Sequence, residues 1–149
     1  MTGTGTKTRD IVDKELYMVQ SCLGVEETIA RVRCILQEKM ISVFFVFDHT
    51  KAALEMGLKL RPTVTIMFGS PAMRTRLLQA EQRLGILLPL RMLVWEDAKK
   101  RVWVGYVRIA QMARRYGVKN LPEIAYLEHM MENISHRACH PAKKKSNRC

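Results

Sequence analysis

Aromatic side chains are scarce and make up 7% of the 149 residues of the chain. Proteins that read single-stranded nucleic acid by sequence usually present exposed rings on which the bases stack. The scarcity therefore argues against sequence-specific RNA recognition. The composition still allows binding to nucleic acid through the phosphate backbone alone.

Long apolar runs are also missing, since no stretch approaches the ~20 residues that a helix needs to cross a bilayer. The first residues are rich in Thr and Gly and contain no apolar secretory core. We therefore expect a cytoplasmic location and no membrane partner.

Cysteine is too sparse and too unevenly spaced for a disulfide framework, with Cys22 and Cys34 early in the chain and Cys139 and Cys149 at its end. Without a secretory signal, reduced thiols are the expectation. Three possible metal ligands lie close together at His136, Cys139 and His140, and Cys149 could supply a fourth. A structural zinc site needs a second ligand pair at a defined spacing. The sequence therefore predicts no metal site, and it indicates no cofactor.

Acidic residues are few, and the net charge is +11. Residues 1–59 balance 8 basic against 8 acidic side chains, whereas residues 60–120 hold 12 basic and 3 acidic ones. A fixed positive region attracts polyanions or an acidic protein surface. The alternative is a solvated surface without a partner. The residues that we expect to carry a contact are Arg74, Arg76, Arg83, Lys99, Lys100, Arg101, Arg108, Arg114 and Arg115.

Hydrophobic periodicity predicts an α+β fold with a mostly antiparallel five-stranded sheet, helices packed on one face and an additional C-terminal helix. Trp95 and Trp103 are expected to pack across a hairpin if the register places them on one face. Strands are predicted at 16–21, 43–47, 61–68, 90–95 and 102–107, and helices at 25–40, 51–56, 72–84, 109–116 and 122–138.

A set of short motifs carries a family resemblance. They are Phe47-Asp48-His49, Gly57-Leu58, Leu60-Arg61-Pro62-Thr63, Phe68-Gly69-Ser70-Pro71, Thr75, Leu88-Pro89-Leu90-Arg91, Leu93-Val94-Trp95-Glu96-Asp97, Tyr106 and Ala113-Arg114-Arg115-Tyr116-Gly117. In order and spacing the chain resembles the family known as domain of unknown function 302 over residues 14–118. The resemblance implies a TATA-binding-protein-like arrangement of strands and helices, and it implies no reaction. Residues 1–13 are then a flexible leader, and residues 119–149 are a helix and a basic tail.

The departures from the family pattern add cations to the turns. Arg74 stands where the family has Gly, and a Gly would allow close approach of a ligand, whereas an Arg fills the space. Ser70 replaces an Asn, the hairpin turn reads Ala98-Lys99-Lys100, and Arg108 stands in a segment that is usually small and polar. If the family domain holds a small ligand, these changes favour docking over ligand binding in this chain.

Two functions follow from these observations. The first is a non-enzymatic interaction protein that docks its basic residues on an acidic protein polymer, such as a microtubule, or on an RNA backbone within a large complex, with no small-molecule substrate. A cytoskeletal location is one form of this hypothesis. The alternative is a ligand-binding or enzymatic domain with a pocket near Asp48, His49, Thr75 and Tyr106. Asp48 beside His49 could fix a general base, although Asp48 is better explained as a helix cap.

Overall fold

Alternating apolar and polar residues in the middle of the chain build one antiparallel sheet, and amphipathic segments cover one of its faces. The computed structural model describes residues 10–142 and Cys149. Its strands are β1 (Asp10–Val12), β2 (Leu16–Ser21), β3 (Ser42–Asp48), β4 (Thr63–Gly69), β5 (Leu90–Glu96) and β6 (Val102–Val107). Its helices are α1 (Val25–Glu38), α2 (His49–Glu55), α3 (Pro71–Ala80), α4 (Ile109–Arg115) and α5 (Pro122–Cys139), and Gln82–Leu87 form a 3-10 helix.

The described strands form a six-stranded sheet in the order β1-β2-β6-β5-β4-β3, and each neighbouring pair is antiparallel. The predicted α+β class is confirmed, but the sheet has one strand more than expected. The additional strand, β1, lies inside the predicted leader and pairs with β2. Three residues are too few to show a two-residue period in the sequence. The rest of the predicted leader, residues 1–9, and most of the basic tail, residues 143–148, lie outside the described residues.

The core lies between the sheet and two helices. Sheet residues such as Ile66, Phe68 and Val94 are fully buried. Helix α5 contributes side chains with almost no exposure, among them Leu127 and Ile134. Since α5 packs against α1, β2 and β6, the segment after residue 119 is part of the same core. Other buried residues of this core are Ile35, Leu36, Met92, Val104, Ile124, Met130 and Met131.

The helix predicted over 72–84 is shorter in the structure and ends at Ala80. Glu81 has extended backbone angles, and its carboxylate accepts a hydrogen bond from the Arg83 amide at 2.9 Å. A 3-10 turn follows and leads into β5. The periodicity did not show this break because Leu84 still points into the core, with 1% exposure.

One pair of cysteines departs from the expectation. Cys34 and Cys149 form a disulfide with their Cα atoms 5.9 Å apart, so the prediction that all four thiols are reduced is wrong. Cys22 and Cys139 are free. Burial raises the pKa of the Cys139 thiol to about 12, which makes it unreactive near neutral pH. In the part of the chain that is described, no helix is long and apolar enough to cross a membrane.

Candidate functional site

The nine basic residues proposed from the sequence lie at two ends of the sheet. The hairpin between β5 and β6 carries Lys99, Lys100 and Arg101. Helices α3 and α4 begin at the opposite end of the strands, where β4 and β6 finish. That end carries Arg74, Arg76, Arg83, Arg108, Arg114 and Arg115. The structure therefore does not bring the nine cations into one cluster.

Four of the nine cations form ion pairs. Arg83 binds Glu81 at 3.0 Å, and its guanidinium lies 5.8 Å from the centre of the Tyr116 ring. The other pairs are Lys100 with Glu96, Arg101 with Asp97, and Arg115 with Glu15. Among the described residues, Arg74, Arg76, Lys99, Arg108 and Arg114 have no ion pair.

The four residues of the alternative pocket do not all come together, since His49 and Tyr106 line one hollow that includes neither Asp48 nor Thr75. Asp48 accepts a hydrogen bond from the Lys51 amide at 2.9 Å and caps α2, as the sequence indicated. His49 bonds the Thr65 hydroxyl at 2.8 Å and does not bond Asp48. Thr75 donates to a carbonyl inside its own helix. No acid–base pair is formed at Asp48 and His49.

Among the C-terminal residues considered as metal ligands, His136 makes contacts within the fold. His136 Nε2 lies 3.1 Å from the Asp10 carboxylate and 3.1 Å from the Tyr17 hydroxyl. Tyr17 stacks on Tyr106, with ring centres 5.4 Å apart. Burial and then the hydrogen bond to Asp10 raise the pKa of Tyr17. Within residues 10–142 and Cys149, no group of three His, Cys, Asp or Glu side chains could hold a metal ion.

A cavity of about 340 Å³ lies at the end of the sheet where β4 finishes and β5 begins. We call it the strand-end cavity. Residues of two motifs that are separate in sequence, Phe68-Gly69-Ser70 and Leu88-Pro89-Leu90, line it together. The lining residues are Phe44, Phe68, Gly69, Ser70, Met73, Arg74, Leu77, Leu78, Gly85, Leu88, Pro89, Leu90 and Leu127.

Local sequence explains how this cavity is left open. A β-bulge in β3 between Val43 and Phe45 places the ring of Phe44 3.3 Å from where a Cβ on Gly69 would be, so the ring lies against the glycine. Ser70 caps α3 by accepting a hydrogen bond from the Met73 amide at 3.4 Å. Arg74 is exposed and lines the cavity, and a space of about 340 Å³ remains beside it.

A second hollow, of about 540 Å³, lies on the sheet face that the helices leave uncovered. Trp95 lies across Gly105 there, since a Cβ on Gly105 would come within 2.9 Å of the indole. Trp95 and Trp103 stack with ring centres 6.4 Å apart, as expected from the hairpin. His49 and Tyr106 line this hollow, together with Arg91.

A third feature is an exposed apolar segment at the opposite end of the sheet from the strand-end cavity. We call it the α2–β4 tip, and it comprises residues 51–61. Its aliphatic side chains are Leu54, Met56, Leu58 and Leu60, which are 72%, 77%, 58% and 45% exposed. Lys51, Lys59 and Arg61 lie among them in the sequence.

The comparisons with known proteins identify the family. The sequence model described as "Domain of unknown function DUF302" matches residues 17–138. The chain belongs to this family. The match extends to residue 138 and thus includes α5 except its last residue, beyond the point at residue 118 where the motif resemblance ends. A crystal structure of an uncharacterised conserved DUF302 protein from Bacillus stearothermophilus has a TM-score of 0.76 and 24% identity, and it covers 84% of this chain and 98% of that one. That likeness shows the fold.

Curated relatives include proteins named fluoride-specific ion channel FluC 1 from Brucella suis biovar 1 (strain 1330) and from Brucella abortus biovar 1 (strain 9-941). Each is 37% identical to this chain over 115 residues, which is 77% of this chain. The match covers 45% and 43% of those proteins. The chain thus spans less than half the length of these relatives. The channel activity in their names is stated of those proteins only.

Sequence reasoning missed the strand-end cavity and the α2–β4 tip for different reasons. The cavity depends on two motifs that meet only after β4 and β5 pair, although both motifs were visible. The tip had a local signal. Leu54, Met56, Leu58 and Leu60 recur at every second position around Gly57, in a segment that contains no strand to bury them.

Proposed function

We propose that this chain is a non-enzymatic binding domain that holds a small apolar acid in the strand-end cavity. The observation that supports this proposal is the guanidinium of Arg74. Arg74 lines this apolar cavity, and its guanidinium has no hydrogen-bond or ion-pair partner in the described part of the chain. Ligand pockets typically have volumes of about 300–1,000 Å³, mostly apolar walls and a few polar groups.

The cavity suits a ligand with an apolar body and one anionic group. Leu77, Leu78 and Leu88 offer aliphatic surface to the body of the ligand, whose burial provides about 25 cal/mol per Å². The planar guanidinium of Arg74 can bind both oxygens of a carboxylate. A hydrogen bond to a charged group contributes about 1.5–3 kcal/mol.

The composition of the cavity supports binding over catalysis. Among the described residues that line it, Arg74 is the one titratable side chain, and a guanidinium does not lose its proton in proteins. Proton transfer by a general base needs a group that can accept a proton near the operating pH. Ser70, the one hydroxyl in the lining, caps α3, and no His or carboxylate lines the cavity beside it.

Titration with decanoate tests this proposal, with binding measured by displacement of 1-anilinonaphthalene-8-sulfonate. We expect Arg74→Gln to weaken decanoate binding by about tenfold to a hundredfold, from the loss of a charge-assisted contact. Arg76→Gln is the matched control, because Arg76 lies on the same helix, is exposed and does not line this cavity. Equal weakening by both variants, or no decanoate binding to the unchanged chain, would reject the proposal.

A second candidate is docking on an acidic polymer, a microtubule or an RNA backbone, at a cytoplasmic and in the first case cytoskeletal location. The observation that favours it is the exposure of Arg76, Lys99 and Arg114, which have no ion pair within the described chain. Co-sedimentation with microtubules or with RNA should then weaken steeply as salt rises. Absence of any salt-sensitive binding to either polymer would remove this candidate.

A further inference from the structure

We propose that the α2–β4 tip is a membrane-contacting surface that inserts its aliphatic side chains into the interface of an anionic lipid bilayer. This inference is independent of the strand-end cavity. It also differs from the expectation of no membrane partner, which rested on the lack of a spanning segment. A surface contact requires no such segment.

Exposure of the tip is the first observation. Met56 is 77% exposed and Leu54 is 72% exposed, although burial of such side chains is favourable. Leu58 and Leu60 add to them within the same seven residues. Single exposed apolar residues are ordinary, but a contiguous group marks an interaction surface.

The tip is held in place by a defined set of hydrogen bonds. The Gly57 amide donates to the Leu54 carbonyl at 2.9 Å, and the Leu58 amide donates to the Ala53 carbonyl at 2.9 Å. The Thr50 hydroxyl accepts a hydrogen bond from the Thr63 amide at 2.8 Å, which fixes the point where the tip rejoins β4. The aliphatic side chains are therefore presented by an ordered backbone, and the chain does not bury them against its own core.

Charge at this end of the sheet is the second observation. The tip lies beside the β5–β6 hairpin, because the Glu96 amide donates to the Pro62 carbonyl at 2.9 Å. Residues 48–61 and 96–101 together hold six basic and four acidic side chains. Three of the acids are engaged, since Glu96 and Asp97 pair with hairpin cations and Asp48 caps α2. Within the described residues, Lys51, Lys59, Arg61 and Lys99 are the cations of this surface that form no ion pair.

These features together fit a lipid surface better than a protein partner. Protein interfaces concentrate aromatic side chains, Met and Arg in a packed centre and are poor in Lys. The tip has exposed Leu and Met side chains, contains no aromatic ring, and carries Lys51, Lys59 and Arg61 against the single acid Glu55. Amphipathic segments that bind bilayers combine buried aliphatic area with attraction to anionic headgroups.

The test is co-sedimentation with phosphatidylcholine vesicles that contain roughly 30% phosphatidylglycerol, or none. We expect binding to the anionic vesicles that weakens with salt, and a loss of about tenfold or more for the double variant Met56→Ser with Leu58→Ser. The matched control is Met40→Ser with Ile86→Ser, since these side chains are 90% and 72% exposed but lie at the other end of the sheet.

Three results would overturn the proposal. One is no binding to anionic vesicles. Another is binding that both double variants reduce equally or leave unchanged, which would mean that the overall positive charge acts without the tip. The third is retention on immobilised polyglutamate through Met56 and Leu58 without vesicle binding, which would identify the partner as an acidic protein. Because all four substituted side chains are exposed, circular dichroism should show both double variants folded.

Discussion

The two ends of the sheet are built from similar side chains but differ in how far these side chains are exposed. At one end, aliphatic residues surround the strand-end cavity, and Arg74 stands at its edge. At the other end, aliphatic residues project from the α2–β4 tip, and Lys51 and Lys59 stand among them. The strand-end cavity is walled by side chains such as Leu77, which is 2% exposed. Leu54, Leu58 and Leu60 of the tip border a hollow as well, but they remain 72%, 58% and 45% exposed. Residue type alone therefore does not distinguish a ligand pocket from a surface for lipid, and the exposure of the side chains does.

The largest expected difference between the two ends is in stability. Leu77 is 2% exposed and forms a wall of the cavity, so Leu77→Ala should lower the free energy of unfolding by about 2–5 kcal/mol. Leu58 is 58% exposed, and Leu58→Ala should change it by no more than about 0.5 kcal/mol. Urea denaturation of both variants measures this difference. Similar losses would show that the tip is buried against part of the chain.

Crossed binding measurements would sharpen the comparison next. Arg74→Gln should weaken decanoate binding by about tenfold or more and leave vesicle binding within about twofold. Met56→Ser with Leu58→Ser should do the reverse. Measuring decanoate binding and vesicle binding for both variants gives the four affinities that the comparison needs. If either variant changed both activities, the two ends would not be separate sites.

The helix caps at the two ends provide a smaller test. Asp48 caps α2 beside the tip with a bond of 2.9 Å, and Ser70 caps α3 beside the cavity with a bond of 3.4 Å. Asp48→Ala and Ser70→Ala should each cost about 1 kcal/mol of unfolding free energy. We expect the smaller loss for Ser70→Ala because its bond is longer. Thermal unfolding measures both, and an unchanged unfolding temperature in Asp48→Ala would mean that this cap does not stabilise α2.

The dependence of fold stability on acidic pH should give the smallest effect. One carboxylate with a lowered pKa lies at each end of the sheet. The side-chain hydrogen bond from Arg83 lowers the pKa of Glu81 to about 2. At the hairpin, partial burial opposes ionisation of Asp97, but hydrogen bonds from Trp103 and Arg101 outweigh it and lower its pKa. A lowered pKa stabilises the fold above the unfolded-state pKa of about 4, and this stability is lost as the pH falls toward 2.

The pH dependence can be assigned by substitution. The unfolding temperature of the chain should fall between about pH 4 and pH 2, and Glu81→Gln and Asp97→Asn should each make the fall shallower. Melting curves across this range measure the effect. Curves that stay parallel to those of the unchanged chain would mean that these carboxylates do not stabilise the fold.

Sequence reasoning predicted the fold well because its signals are local. Alternation in β4, the helical stripe of α1 and the Trp95–Trp103 pairing all depend on neighbours along one or two strands. It missed β1, which is too short to show a period. It missed the early end of α3 because the apolar spacing continues through Leu84. It also missed the Cys34–Cys149 disulfide, since a separation of 115 residues leaves no local trace.

The sites were harder to predict for a related reason. The cations from Arg74 to Arg115 are close in sequence, but strand direction sends the hairpin to one end of the sheet and α3 and α4 to the other. Local acids then neutralise several of them, as Asp97 does for Arg101. A count of charges along the sequence shows neither the end of the sheet at which a cation lies nor the acid with which it pairs. The strand-end cavity needs the pairing of β4 with β5 before Ser70 and Leu88 become neighbours.

Amide chemical-shift changes on titration with decanoate test the central claim most directly. The account predicts changes concentrated at Gly69, Ser70, Arg74 and Gly85, with the α2–β4 tip unaffected and with loss of the pattern in Arg74→Gln. Changes centred on Arg91 and Trp95 would place the ligand on the uncovered sheet face instead. That result, or an unchanged spectrum, would contradict the assignment of the strand-end cavity as the binding site.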